Sequence, residues 1–299
     1  MKLLITGASG FLGRKIVNRC VESAIPVHAL GRTSLDGDLD FHVVDIRNKQ
    51  TVLEVVQSIK PTHILHLASA GVTRDNSSLA DMLLANTVGT DNLLEAAAAL
   101  AVPPVVVLMG SAYEYESSDM PLAENAFINP KSPYVISKTA SAYCMARYAD
   151  VLPMLYLRLF NVYGPGEPDA RLIPYIVDCA RKGRPIQLTG CKQLRDFMFV
   201  DDLVDIILQL LLKHDGQPGS EILNVGTGTA TSLEYLVRET GESLLKAGIE
   251  TTIEFGALPY RRDDPMCCYA DITKLLRKIG NYQFTSIADG VGKTVENLL

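Results

Sequence analysis

The 299-residue sequence has no C-x-x-C pair, no long apolar run, no excess of positive charge and no internal repeat. Each absence removes a class of function. The six cysteines, Cys20, Cys144, Cys179, Cys191, Cys267 and Cys268, lack the paired spacing of a zinc cage, so no metal site is expected. A chain of this size builds its core without disulfides, and the cysteines read as reduced thiols of a cytoplasmic protein. The start, Met1-Lys2-Leu3-Leu4-Ile5-Thr6-Gly7, is too short in apolar residues for a secretory signal. A membrane span needs roughly 20 apolar residues. The most apolar stretch, Leu203 to Leu212, carries Asp205 and Gln209 and reads as a buried helix, so no membrane partner is expected. A net charge of −6 repels a phosphate polymer, which argues against a nucleic-acid partner.

What the sequence does have is alternation. Strand-like runs at 2–6, 27–30, 41–44, 64–68, 105–109 and 154–159 alternate with helical patterns at 11–23, 51–59, 79–101 and 134–149. That order predicts an α/β fold with a parallel sheet covered on both faces. After Gly164, Pro165, Pro168, Pro174, Gly183, Pro185 and Gly190 break the chain into shorter elements. We expect a large domain over 1–163 with a return segment near 200–226. Residues 164–299 would form mainly a smaller, interleaved C-terminal substrate lobe.

Thr6-Gly7-Ala8-Ser9-Gly10-Phe11-Leu12-Gly13 lies between the first strand and the first helix. Glycines at this spacing allow a tight turn and close approach of a phosphate, and the helix start offers free N–H groups. In this context the turn predicts a Rossmann-type, doubly wound sheet that binds a dinucleotide. Gly7, Gly10, Phe11, Leu12 and Gly13 are the expected contacts. An acidic residue after the second strand would favour NAD(H). The chain has Leu30-Gly31-Arg32 there, and Arg32 can fork onto a 2′-phosphate. This favours NADP(H), with NAD(H) as the alternative if Arg32 is a solvated surface residue. Asp36, Asp38 and Asp40 come too late for the acidic place. Asp45, with Ile46 beside it, is placed to meet the adenine.

Ser111 follows the fifth strand, and Tyr134 and Lys138 stand four apart on a helix, sharing one face. A free tyrosine ionises near pH ~10. An adjacent ammonium lowers that value, so the phenol can exchange a proton with a carbonyl or alcohol oxygen near neutrality. The serine hydroxyl can hold the same oxygen. The three are the candidate catalytic residues for hydride transfer, and Lys138 is also a candidate anchor for the nicotinamide ribose.

These segments resemble an extended short-chain dehydrogenase/reductase of the NAD-dependent epimerase/dehydratase family acting on nucleotide sugars. His66-Leu67-Ala68, Asn86–Thr90, Arg158–Pro165 and Arg195–Asp202 carry the resemblance further along the chain. It implies that Leu67, Ala68, Asn86, Phe160 and Val162 serve the cofactor. It implies that Ser111, Ala112, Tyr134, Asn161, Arg171, Leu172, Arg195, Arg261 and Arg262 serve a nucleotide-sugar substrate, with Leu172 beside the base and Arg195 and one arginine of the Arg261-Arg262 pair clamping the diphosphate. It also implies a homodimer through the two helices at 79–101 and 134–149, although full burial within one chain would give the same pattern. Thr73 and Arg74 are further candidates for touching the sugar.

The resemblance leaves the reaction to be decided. Dehydratases of the family place Asp-Glu directly after the serine or threonine, where this chain has Ala112 and Tyr113. The double epimerase/reductase chemistry needs a cysteine and a histidine, and no histidine lies between His66 and His214. An NADPH-dependent reductase of a 4-keto sugar nucleotide remains, with an NAD-dependent 4-epimerase as the alternative. Arg32 and the similarity of Leu258–Pro265 to sugar-nucleotide reductases favour the reductase. A non-catalytic NADP-binding sensor is the remote third reading.

Overall fold

The computed structural model describes residues 1–33, 39–71, 78–261 and 264–299. The chain divides into two compact units. The first comprises Met1–Glu114, Ile128–Leu159 and Val204–Leu223; the second comprises Tyr115–Phe127, Phe160–Leu203 and Asn224–Leu299.

In chain order the strands are β1 (Leu3–Thr6), β2 (Val27–Gly31), β3 (Asp40–Val43), β4 (His63–His66), β5 (Val105–Ser111), β6 (Pro153–Leu159), β7 (Asn161–Tyr163), β8 (Ile186–Gln187), β9 (Leu194–Arg195), β10 (Phe197–Phe199), β11 (Gly219–Val225), β12 (Thr231–Ser232), β13 (Ile253–Glu254) and β14 (Cys267–Cys268). The helices are α1 (Phe11–Glu22), α2 (Lys49–Ile59), α3 (Leu79–Met82), α4 (Gly89–Ala98), α5 (Pro133–Cys144), α6 (Leu172–Arg181), α7 (Val200–Lys213), α8 (Leu233–Lys246), α9 (Thr273–Ile279) and α10 (Ile287–Leu298). No helix among the described residues is long and apolar enough to cross a membrane.

The first unit is built on a seven-stranded sheet of order β11-β6-β5-β4-β1-β2-β3. This is the Rossmann-type, doubly wound α/β fold expected from the alternation. Leu3, Leu4 and Ile5 of β1 are all fully buried, so both faces of the sheet are covered. On one face Leu4, Leu30, Ile64, Val106 and Leu108 pack against Val52 and Val56 of α2 and Leu93, Leu94 and Ala97 of α4. Each such Leu, Ile or Val side chain contributes about 1.5–3 kcal/mol of burial. Arg19 of α1 pairs with Asp205 of α7. The strand order reverses between β1 and β4, which pair in parallel with Thr6 against His66. The carboxyl ends of these two strands therefore flank the crevice where such sheets take their ligands.

The second unit has its own core. Ile173, Ile176 and Val177 of α6 pack with Leu236 and Val237 of α8, Val291 and Val295 of α10, and Phe197 and Phe199 of β10. Short ribbons frame it: β7 with β10, β12-β9-β14, and β8 with β13.

Three elements differ from the sequence expectation. The seventh strand, β11, was not foreseen. It lies at the sheet edge, where Gly219, Ser220 and Glu221 are tolerated and no apolar run announces it. The helix expected over 79–101 is interrupted by a π-helical stretch, Leu83–Val88. The Thr90 hydroxyl donates to the Asn86 carbonyl, supplying a partner where the α-helical ladder is displaced. The helix expected over 134–149 ends at Cys144 and tightens into a 3₁₀ turn, Met145–Arg147.

Candidate active site

The glycine turn begins where β1 stops. Gly7 has φ +75, and a Cβ on it would lie 2.6 Å from the Ala68 nitrogen. A Cβ on Gly13 would collide with the Gly7 carbonyl oxygen and the Ala8 backbone. Both glycines are demanded by the protein itself. Gly10 is different. It is exposed, its nearest neighbour to a Cβ is the Gly7 oxygen at 3.3 Å, and it caps α1 with no side-chain hydrogen bond. The first turn of α1 also carries no acidic residue. An uncapped helix start with a bare backbone in front of it fits a pyrophosphate. Phe11 and Leu12 are half-buried beside it.

Leu67 and Ala68 are held against the turn by backbone bonds. The Leu67 N–H donates to the Thr6 carbonyl at 3.0 Å, and the Ala68 N–H donates to the Thr6 hydroxyl at 3.1 Å. Arg32 is exposed. Asp45 accepts a fork from Arg47, and that guanidinium, with a smaller contribution from Arg32, holds the Asp45 carboxyl below its ordinary range. Arg32 and Asp45 therefore share one neighbourhood, with Arg47 as an unforeseen third member. Ile46 packs against the core and closes on Gly89.

A chain of hydroxyls runs behind the turn and fixes the state of His66. The Thr90 hydroxyl must donate to the Asn86 carbonyl, so it accepts from His66 Nε2–H at 3.0 Å. His66 Nδ1 is then bare and accepts from the Thr6 hydroxyl at 2.6 Å. The imidazole is neutral, pushed down to about 3 by complete burial and by the nearby Lys138 charge. Asn86, also fully buried, continues the network. Its amide bonds both backbone groups of Ala70 and donates to the Ser137 hydroxyl at 2.8 Å. Ser137 in turn donates to the Tyr134 carbonyl at 2.7 Å. The strand ends and the start of α5 are thus tied together through buried side chains.

Ser111 ends β5, and α5 packs on that strand with half-buried Tyr134 and Lys138 (3% exposed). The Ser111 oxygen accepts the Tyr113 N–H at 3.2 Å, which leaves its proton for an oxygen in the site. Beneath it lies Glu114, fully buried. Its Oε1 accepts the Ser111 N–H at 2.8 Å, and its Oε2 accepts Arg158 Nε at 3.0 Å. Tyr156 donates through its hydroxyl, 2.9 Å from Glu114 and 2.7 Å from the Lys138 carbonyl. Burial pulls the Lys138 ammonium down to about 8, and the Glu114 charge opposes that fall. Ala112 is buried in the 3₁₀ turn between Ser111 and Glu114.

The remaining candidates lie in the second unit. Asn161 opens β7 and donates its N–H to the Asp196 carbonyl at 2.9 Å. Phe160 is buried and Val162 half-buried. Arg195 is buried in β9, donating to Asp264 at 2.7 Å and to its neighbour's carbonyl at 2.9 Å. Exposed Arg171 caps α6, and Leu172 packs partly into the core. Arg261 is exposed. Arg262, Thr73, Arg74, Asp36 and Asp38 lie outside the described residues. Sequence reasoning missed Glu167, whose buried carboxyl is raised to about 7 by desolvation, with Arg171 opposing.

The description "NAD dependent epimerase/dehydratase family" matches residues 3–226. The chain is 30% identical to the GDP-6-deoxy-D-talose 4-dehydrogenase of Aggregatibacter actinomycetemcomitans over 292 residues, covering 96% of this chain and 94% of that one. It is 29% identical to a UDP-glucose 4-epimerase of Mycolicibacterium smegmatis, covering 99% and 98%. Among solved structures, MoeE5 in complex with UDP-glucuronic acid and NAD superposes with a TM-score of 0.86 at 28% identity, covering 99% of this chain and 98% of that one.

Two outcomes follow from the geometry. Gly7→Ala should cost at least about 2 kcal/mol in denaturant unfolding, from the left-handed backbone and the collision with β4's end. Gly10→Ala should keep its melting temperature and lose roughly tenfold or more in dinucleotide affinity; equal effects of both changes would contradict this division. Glu114→Gln should cost about 3–5 kcal/mol by leaving buried Arg158 without its carboxylate. In the protein that folds, the alkaline limb of kcat/KM should move to lower pH, because the charge that keeps Lys138 protonated is gone. An unmoved limb would mean that Glu114 acts by packing alone.

Proposed function

Because the chain belongs to the NAD dependent epimerase/dehydratase family, we propose that it is a reductase of a 4-keto or 4-keto-6-deoxy nucleotide sugar that uses NADPH. The observation that carries the reading is the buried Lys138 ammonium, with Tyr134 one turn before it and Ser111 at the end of β5. The reduced dinucleotide, seated on Gly7, Gly10 and Gly13, would supply a hydride to the sugar carbon. As the carbonyl oxygen gains charge, the Tyr134 phenol gives it a proton and the Ser111 hydroxyl holds it. Lys138 stabilises the phenolate left behind until water returns the proton. A neutral His66 keeps a second positive charge away from this ammonium.

Exposed Arg32, at the end of β2, supports NADPH, since its guanidinium can meet a 2′-phosphate. Asn161, Arg195, Arg261 and Arg262 would bind the nucleotide diphosphate. Ala112 and Tyr113 stand where a dehydratase needs an acid and a base, which supports reduction over elimination. The dehydrogenase relative bears on the same carbon, C4, by its name. The 4-epimerase relative favours the second reading, oxidation and re-reduction at C4 on a retained NAD. Exposed Leu84 and Val88, with Ile136 and Tyr143 on α5, support a homodimer through these helices, which light scattering reads directly.

Purified protein should oxidise NADPH, faster than NADH, only when a 4-keto sugar nucleotide is added. Interconversion of two ordinary sugar nucleotides without added cofactor would overturn the reductase reading in favour of the epimerase.

A further inference from the structure

We propose that His28, Asp40 and His42 form a binding site for one divalent transition-metal ion of the zinc class, at the edge of the first unit's sheet. Strands β2 and β3 pair in parallel, with His28 against Asp40 and Leu30 against His42. Strand alternation puts Asp40 and His42 on one side of β3, and the pairing sets His28 beside them. His28 Nδ1 lies 2.7 Å from one Asp40 oxygen, and His42 Nε2 lies 3.2 Å from the other. The three donor atoms fall within 4.8 Å of one another.

These contacts are close, yet they are not hydrogen bonds. Both ring nitrogens are screened from solvent and have no hydrogen-bond partner, because the carboxylate oxygens lie off the N–H axes. A histidine–aspartate pair built for its own sake would align donor and acceptor. Here the three donors face a shared space. A tetrahedral ion with bonds of about 2.0–2.2 Å holds its ligands roughly 3.4 Å apart, within the spread seen at this cluster. Two imidazoles and one carboxylate suit zinc, cobalt, nickel or copper rather than calcium or magnesium. Three protein donors leave the fourth position to water.

The contrast with His66 is informative. Both of its nitrogens are bonded to hydroxyls, so it has no donor left for an ion. Cysteine spacing predicts no metal site, and that reading does not test cross-strand ligands: His28 is separated in sequence from Asp40-x-His42 and meets it only through strand pairing. An ion here would fasten the edge strand β3 to β2. It would fix the register that presents Arg32 and Asp45.

The test uses tag-free, chelator-treated full-length protein. Zinc titration by calorimetry should show one ion per chain, with a melting temperature raised by a few degrees. Cobalt should give a spectrum without thiolate charge transfer. The variant H28Q/H42Q should lose both binding and the thermal shift. Asp40→Asn, at a largely exposed side chain, should weaken binding and covers the case in which the double variant does not fold. Zinc binding retained by H28Q/H42Q, undiminished affinity in Asp40→Asn, a cobalt–thiolate spectrum, or no binding by the unaltered protein at sub-millimolar zinc would overturn the proposal.

Discussion

The charge on Lys138 is the constraint around which the first unit is organised. An ammonium almost wholly removed from water is costly, and burial draws its pKa down toward neutrality. Glu114 supplies the opposing charge, but a buried carboxylate carries its own penalty. Arg158, Tyr156 and the Ser111 N–H offset that penalty by bonding both of its oxygens. The same carboxylate therefore holds up the lysine's charge and fixes the strand end that bears the serine. His66 is the complement. Because it is neutral, it adds no second cation, and its two nitrogens satisfy Thr6 and Thr90.

A backbone constraint runs alongside this charge. The reversal of strand order places the ends of β1 and β4 side by side, and just beyond them Gly7 leaves no room for a Cβ against the Leu67–Ala68 backbone. The Thr6 hydroxyl serves both sides of that approach, accepting from Ala68 and donating to His66. From His66 the network runs through Thr90 and Asn86 to Ser137 and the carbonyl of Tyr134. The glycine turn and the start of α5 are therefore positioned by one buried polar chain, whose satisfied bonds make it rigid.

What could be read from the sequence was local. Strand, glycine turn and helix follow one another within residues 2–23, and Tyr134 and Lys138 share a helix face by spacing alone. The positions of Arg32 and Asp45 just beyond strand ends were legible from the strand pattern. Glu114 and His66 were visible as letters without roles, because their partners stand 44 and 60 positions away. The π-helical stretch at Leu83–Val88 was hidden for a related reason: it holds Asn86, whose amide bonds Ala70 and Ser137, distant pairings that no helix propensity records. Strand β11 escaped because an edge strand need not be apolar. The histidines of β2 and β3 escaped because only strand pairing brings them together.

The proposed reduction depends on proton transfer by Tyr134 beside a buried ammonium, and Tyr134→Phe tests that role most directly. The change removes one hydroxyl and keeps the ring. Turnover should fall by about 10²–10⁴-fold, while dinucleotide affinity measured by fluorescence titration stays as it was. Turnover that survives the substitution would contradict the assignment and leave the fold as a dinucleotide-binding scaffold whose output does not depend on this residue.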